Sequence, residues 1–402
     1  MESTPLSKRV ISLAESQTIG MSKLSRELTS QGIDIVNLSL GEPDFVTPIH
    51  IRQAAKKAID DGFTFYPPIA GFAELRKAIS EKFKRENNLD FPPQQIIIST
   101  GAKQSIANVV LSIIDPGDEV IIPLPYWVSY IEIVKLAEGK TVAVNTSIES
   151  DFKITPAQLE AAITPATKLF IFSSPCNPTG TVYTKDELQG LAEVFKKHPN
   201  VYILSDEIYE HINFMGKHES IAQFDYLKDR MIVVNGVSKS FAMTGWRIGY
   251  IGAPKIIADA CEKIQGQFTS GASSISQKAA EAALNLDLKP TLEMKSAFLR
   301  RRDLVLSLMK TIPHFKVNKP EGAFYVFPDV SAYYSKSFEG KKINNSTDLC
   351  MYLLHHGNVS LVPGDAFGDK NCLRFSYATS DEKLIEAIKR IKTALSLLKS
   401  ED

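Results

Sequence analysis

Six short apolar runs, QQIIIST, DEVIIPLP, TKLFIFSS, VYILSDE, RMIVVNG and RIGYIGA, recur between residues 94 and 253 and alternate with longer amphipathic stretches such as AKQSIANVVLSII and KDELQGLAEVFKKH. Runs this short, rich in Ile and Val and bounded by Gly, Pro, Asp or Ser, read as buried strands, and the stretches between them have the length and period of helices. Strands alternating with helices need crossover connections. The expected fold class is therefore α/β, a mostly parallel sheet sandwiched by helices.

From about residue 290 the texture changes. A long helical pattern, TLEMKSAFLRRRDLVLSLMK, leads into FKVNKPEGAFYVFPDV, VSLVPGDAFG and LRFSYATS, and the helical pattern DEKLIEAIKRIKTALSLLK closes the chain, as expected of a smaller α+β unit. The RRRD run reads as a solvated helix face rather than an anion site. At 402 residues the chain is long enough for two or three packed units. Internal repeats and low-complexity linkers are absent from the sequence.

Lys plus Arg and Asp plus Glu each number 46, so no net charge steers the protein toward nucleic acid or an anionic membrane. Any anion must be met by a local site. Cys176, Cys261, Cys350 and Cys372 lack the paired spacing of a zinc site, and no metal is expected. The N-terminal stretch has no secretory pattern and no apolar run reaches spanning length, which points to a soluble, cytoplasmic protein.

In open α/β sheets ligands bind beyond the carboxyl ends of the strands. The residues there are Gly101-Ala102-Lys103, opening a helix whose free amides suit an anion; Pro175-Cys176-Asn177-Pro178-Thr179-Gly180; Asp206-Glu207-Ile208-Tyr209; and Ser238-Lys239. Lys239 has no carboxylate within seven positions on either side, and Arg247 follows eight residues later. Two cations this close need a counter-charge from elsewhere. A nucleotide-binding P-loop is excluded because Ser238, not Gly, precedes the lysine, and the glycines of GWRIGYIG do not fit G-x-G-x-x-G.

SPCNPTG, SDEIYE and SKSFAMTGWRIGY, with LGEPDF upstream and LRFSYATS downstream, resemble the class I aminotransferases dependent on pyridoxal 5′-phosphate, and within them the bacterial-type aspartate aminotransferase group. The likeness covers nearly the whole chain in order. It implies the fold-type I architecture, with a large cofactor-binding domain over 46–294 and a small domain made of 1–45 and 295–402. It also implies a homodimer with shared active sites.

The resemblance assigns roles residue by residue. Lys239 would form the Schiff base with the cofactor aldehyde and later move the substrate's α-proton, which requires a free amine although the reference pKa is about 10.4; burial and Arg247 would lower it. Arg247, Ser238 and the amides near Gly101 and Ala102 would hold the cofactor phosphate, whose charge of roughly −2 is the missing counter-charge. Asp206 would keep the pyridine nitrogen protonated, Asn177 and Tyr209 would bond the ring oxygen, and Trp127 would stack on the ring. Arg374 would clamp the substrate α-carboxylate, beside Gly41 and Asn177. Lys103 would meet a distal carboxylate, and Tyr66 would reach the phosphate of the neighbouring subunit. Cys176 departs from the commoner Asn of relatives.

The expected reaction is transamination between aspartate or glutamate and a 2-oxo acid such as 2-oxoglutarate or oxaloacetate. Aromatic or prephenate transamination and carbon–sulfur lysis use the same cofactor and fold and stand as alternatives. A cofactor-sensing regulator would bring a DNA-binding module and a basic patch, and the sequence displays neither.

Overall fold

The structure, a computed structural model, describes residues 5–285 and 287–400. Its centre is a seven-stranded sheet built, in chain order, from β1 (Ile96–Ser99), β2 (Glu119–Pro123), β3 (Lys140–Val144), β4 (Thr167–Ser173), β5 (Tyr202–Asp206), β6 (Met231–Gly236) and β7 (Gly249–Gly252). The spatial order is β1-β7-β6-β5-β4-β2-β3. All neighbours run parallel except β7, which is antiparallel to both β1 and β6.

The six expected strands are present, and β3 is the one the sequence reading passed over. Its residues, KTVAV, lie at the sheet edge and none of them is fully buried. An edge strand half in water does not need a continuous apolar run. Inside the sheet both faces are covered, and the period of two sorts the side chains. Ile97, Leu169, Ile171, Leu204, Ile232 and Val234 pack on one face, where the helices Ala102–Ile113 and Lys255–Phe268 contribute Ile106, Val109, Ile257 and Ala258. Phe170, Phe172 and Ile203 point the other way, onto Leu188, Leu191 and Phe195 of the helix Lys185–Lys197. Each fully buried side chain of this size contributes roughly 1.5–3 kcal/mol.

The C-terminal unit has its own core, in which Phe298 and Val305 of the long helix Lys289–Met309 meet Phe324, Leu353, Leu361, Phe375, Leu384 and Ile391. Met21, Val36 and Leu38 from the N-terminal segment belong to the same cluster, and Val36 pairs in parallel register with Val359. Ile208, Tyr209 and Ile212 join it from just beyond β5, so the two cores meet beside the carboxyl ends of the central strands.

The RRRD run is corrected by the structure. Arg300 is solvated, but Arg301 and Arg302 are buried: Arg301 grips Asp44 through two bonds of 2.7 and 2.9 Å, and Arg302 bonds Glu321 at 3.0 Å and the carbonyl of Pro320. Their partners lie up to 257 residues away, beyond what a local charge pattern reveals. No helix among the described residues is long and apolar enough to cross a membrane.

Candidate active site

The carboxyl ends of β4, β5 and β6 open into a cavity of about 260 Å³, closed from the small-unit side by Tyr325 and Arg374. The helix Ala102–Ile113 starts at its rim. Unlike the helix Lys185–Lys197, whose first amides are satisfied by a Thr184–Glu187 capping box, it has no side-chain cap, because its N-cap is Gly101 at φ +83°. A methyl on Gly101 would lie 2.3 Å from Nη2 of Arg247, so only glycine lets the guanidinium rest against this helix start. Arg247 itself holds φ +58°, a conformation that costs a non-glycine residue roughly 1–3 kcal/mol. Gly249 serves the same approach from beneath, since a Cβ there would lie 2.1 Å from the amide nitrogen of Ala102.

Lys239 follows β6, and its Nζ donates to the carbonyl of Gly41 at 2.6 Å, a contact spanning 198 residues. Burial lowers its pKa to about 8; Arg247 and Arg374 push the same way, while Glu42 and Asp206 oppose them. Asp206 ends β5, 5% exposed, and accepts a 2.7 Å bond from the hydroxyl of Tyr130. Burial raises its pKa to about 6, partly offset by that bond. Tyr209, one turn on, shares a 2.8 Å bond with the hydroxyl of Tyr325.

Arg374 is 1% exposed, and its guanidinium donates to Asn177 Oδ1 at 3.1 Å and to the carbonyl of Ser39 at 2.6 Å, leaving Nε without a partner. Lys103 stands at the mouth with Nζ 5.1 Å from the centre of the Trp127 ring; partial burial and then the charge of Arg247 lower its pKa. Among the described residues none of Lys103, Lys239, Arg247 and Arg374 forms an ion pair, and Asp206 is the one carboxylate lining the cavity. The site is built for anions.

Of the residues singled out from the sequence, Gly41, Ala102, Lys103, Trp127, Asn177, Asp206, Tyr209, Ser238, Lys239, Arg247 and Arg374 line this one cavity, with Gly101 just behind it. Tyr66 is elsewhere, 96% exposed beside an 84% exposed Phe65. Cys176 sits behind the wall beside Ile171 and Tyr183, and leaves Asn177 free to meet Arg374. The sequence reading missed Tyr130, Tyr325 and the segment carrying Ser16, Thr18 and Ile19, all of which line the cavity. Tyr130 was within reach, three residues after Trp127; nothing local marks the others.

A second group of ionisable side chains lies behind the site. Carboxylate and imidazole atoms of Glu86, Glu210 and His211, and of Glu207, Glu210 and His218, come within 4.8 Å of one another, but the ammonium of Lys82 already pairs with both Glu210 and Glu86.

The residues fit one cofactor: an uncapped helix start with an arginine for a phosphate, a buried carboxylate for a pyridine nitrogen, and a lysine of lowered pKa for an aldehyde. Fold and site together define a pyridoxal 5′-phosphate enzyme of fold type I. The chain belongs to the family of class I and II aminotransferases, which matches residues 33–391. It is 49% identical over 401 residues to the bifunctional aspartate aminotransferase and glutamate/aspartate-prephenate aminotransferase of Petunia hybrida, covering 98% of this chain and 83% of that protein. The crystal structure of the aspartate aminotransferase from Rhizobium meliloti superposes with a TM-score of 0.95 at 43% identity, covering 99% of this chain and 100% of that one. The aspartate aminotransferase from Thermus thermophilus with maleate gives 0.92 at 40% identity, covering 98% and 100%.

Proposed function

We propose that this aminotransferase moves the amino group between an acidic amino acid, aspartate or glutamate, and a 2-oxo acid. The observation that carries the reading is the set of four cations without ion-pair partners around one cavity, more positive charge than a cofactor phosphate alone requires. Pyridoxal 5′-phosphate supplies an aldehyde that takes the amino group and an electron-withdrawing ring that acidifies the α-carbon.

Arg247, Ser238 and the helix start at Gly101 and Ala102 would hold the phosphate; Asp206, steadied by Tyr130, would hold the proton on the ring nitrogen. Opposite charges about 4 Å apart interact by roughly 4 kcal/mol at an effective dielectric of 20. Tyr209 and Asn177, which line the same cavity, would bond the ring oxygen, and Trp127 would cover the ring. Lys239 would be the amine that meets the aldehyde and would carry the α-proton, tasks its pKa of about 8 suits. Arg374, held by Asn177 and Ser39 beside Gly41, takes the α-carboxylate, and Lys103 takes the distal one. We assign 46–294 to the large domain and 1–45 with 295–402 to the small one, supported by the shared core of Met21, Val36 and Leu38 with the C-terminal unit. The exposed Phe65 and Tyr66 support a homodimer in which Tyr66 serves the neighbouring site.

The Thermus neighbour was solved with maleate, a dicarboxylate, and the Petunia relative is named for both aspartate and prephenate. Prephenate also carries two carboxylates and is the second reading. Steady-state assays on aspartate, prephenate and phenylalanine decide between them. A charge-assisted bond contributes roughly 1.5–3 kcal/mol, so Lys103→Ala should lower kcat/KM for the dicarboxylate substrate about ten- to a hundredfold and spare phenylalanine. Equal losses on all three would remove Lys103 from substrate recognition. Ammonia and pyruvate released from the donor without an oxo acid would mean a lyase instead.

A further inference from the structure

We propose that Tyr325 is a positioning residue that couples the carboxylate clamp, Arg374, to the phenol of Tyr209, a proposal that rests on the aminotransferase reading above. Tyr325 lies on the short strand Tyr325–Val326, paired antiparallel with Leu373–Ser376, so its strand neighbour carries Arg374. Its side chain is fully buried and lines the cavity. The guanidinium carbon of Arg374 lies 4.7 Å from the centre of its ring, with Phe367 5.1 Å away as the other aromatic contact. A cation with no carboxylate partner is thus oriented by two acceptor oxygens and two ring faces.

The other end of Tyr325 meets the large domain. Its hydroxyl is 2.8 Å from that of Tyr209, and the two rings meet edge to face at 5.9 Å and 83°. A methyl on Gly41 would come within 3.0 Å of the same hydroxyl, so the loop whose carbonyl accepts from Lys239 presses against it too. Burial raises the pKa of both phenols, so both keep their protons, and one contact between two hydroxyls can use only one of them. With Tyr325 donating, Tyr209 has its proton free for the cavity. Tyr325 then fixes the direction of the Tyr209 hydroxyl and the plane of the Arg374 guanidinium together, and links substrate grip to the electronic state of the cofactor.

The test separates hydroxyl from ring. Cofactor-loaded wild type, Tyr325→Phe, Tyr209→Phe and the double variant are titrated by visible absorbance, and maleate binding is measured for these and for Tyr325→Leu. A donor to the ring oxygen favours its anionic state, so weakening it should raise the pH midpoint of the absorbance change. Tyr325→Phe should raise it by about half a unit, leave the maleate Kd within about twofold, and add little to the shift caused by Tyr209→Phe. Tyr325→Leu should raise the maleate Kd about five- to thirtyfold. An unchanged midpoint in Tyr325→Phe, a fully additive shift in the double variant, or wild-type maleate binding by a folded Tyr325→Leu would each overturn the proposal. If Tyr325→Leu does not fold, the conservative Phe variants still decide it. A wild type with no pH-dependent visible band would overturn the aminotransferase reading and this proposal together.

Discussion

Two regions of the molecule hold buried charge, and they treat it in opposite ways. Behind the site, Lys82 is fully buried and bonds Asn87 Oδ1 at 2.8 Å as well as Glu210 and Glu86; Glu210 also accepts from Asn87 and Asn235, and Glu207 from Ser205, Ser220 and His218. Burial alone would raise the pKa of Glu210, yet Lys82, His211 and His218 hold it well below the usual carboxylate range. In the cavity, Lys239 is half-buried and Arg374 fully buried, neither forms an ion pair, and the pKa of Lys239 falls to about 8. The same cost of burying charge is met by partners in one region and left unmet in the other. Charge left unmatched inside a cleft marks where a ligand supplies the counter-charge.

The contrast can be broken most sharply at the two lysines. Lys239→Met should abolish transamination, lowering kcat/KM by at least about 10⁴-fold, without loss of stability in the cofactor-free protein. Borohydride reduction with peptide mass mapping should place the cofactor label on Lys239 in the wild type alone; label on another lysine would end its assignment. Lys82→Met should do the reverse, destabilising the fold by roughly 3–5 kcal/mol because Glu210 stays buried without its ammonium partner, while folded molecules keep their kcat. Adding Glu210→Leu to Lys82→Met should recover much of that loss in urea denaturation. Equal destabilisation by the two lysine variants would erase the distinction.

A smaller effect sharpens it through pH. The folded-state pKa of Lys239, about 8, lies below its ordinary 10.5, so the unfolded chain binds more protons between those values. The cofactor-free protein should therefore gain up to about 3 kcal/mol from this group as pH rises from 8 to 10.5, relative to Lys239→Met. Asp206 is displaced the other way, from 3.8 to about 6, so its burial costs stability above pH 6 and the cost fades as pH falls toward 3.8. Asp206→Asn should flatten that window by a similar or smaller amount. The smallest expected change is Ser240→Ala, which frees the His211 imidazole of a 2.8 Å bond next to Lys239 and should cost about 1 kcal/mol.

Six of the seven central strands could be read from the sequence because a strand buried on both faces must be continuously apolar, whatever lies beside it. β3 escaped because it lies half in water at one edge, whereas β1 at the other edge is covered and buried throughout. The residues at the end of each strand could be read for a related reason: the carboxyl edge of a parallel sheet is an address set by topology, and Asp206 lies at it while Asn177 and Lys239 sit just past it. Arg301 and Arg302 were misread because a charge run looks the same whether water or Asp44 and Glu321 receive it.

By itself, then, the sequence determined the layered architecture, the edge where chemistry gathers and the residue types present there, since strand period, helix period and the chemistry of a side chain are local properties. Only the tertiary structure decided which groups touch. Asn177 meets Arg374 across 197 positions, Ser39 meets it across 335, and Tyr209 meets Tyr325 across 116. Each of those contacts depends on how the small unit packs beside the sheet, a cooperative outcome of the whole core. The counter-charge that Lys239 lacks within seven residues is decided there too, by a cavity that several distant segments close together.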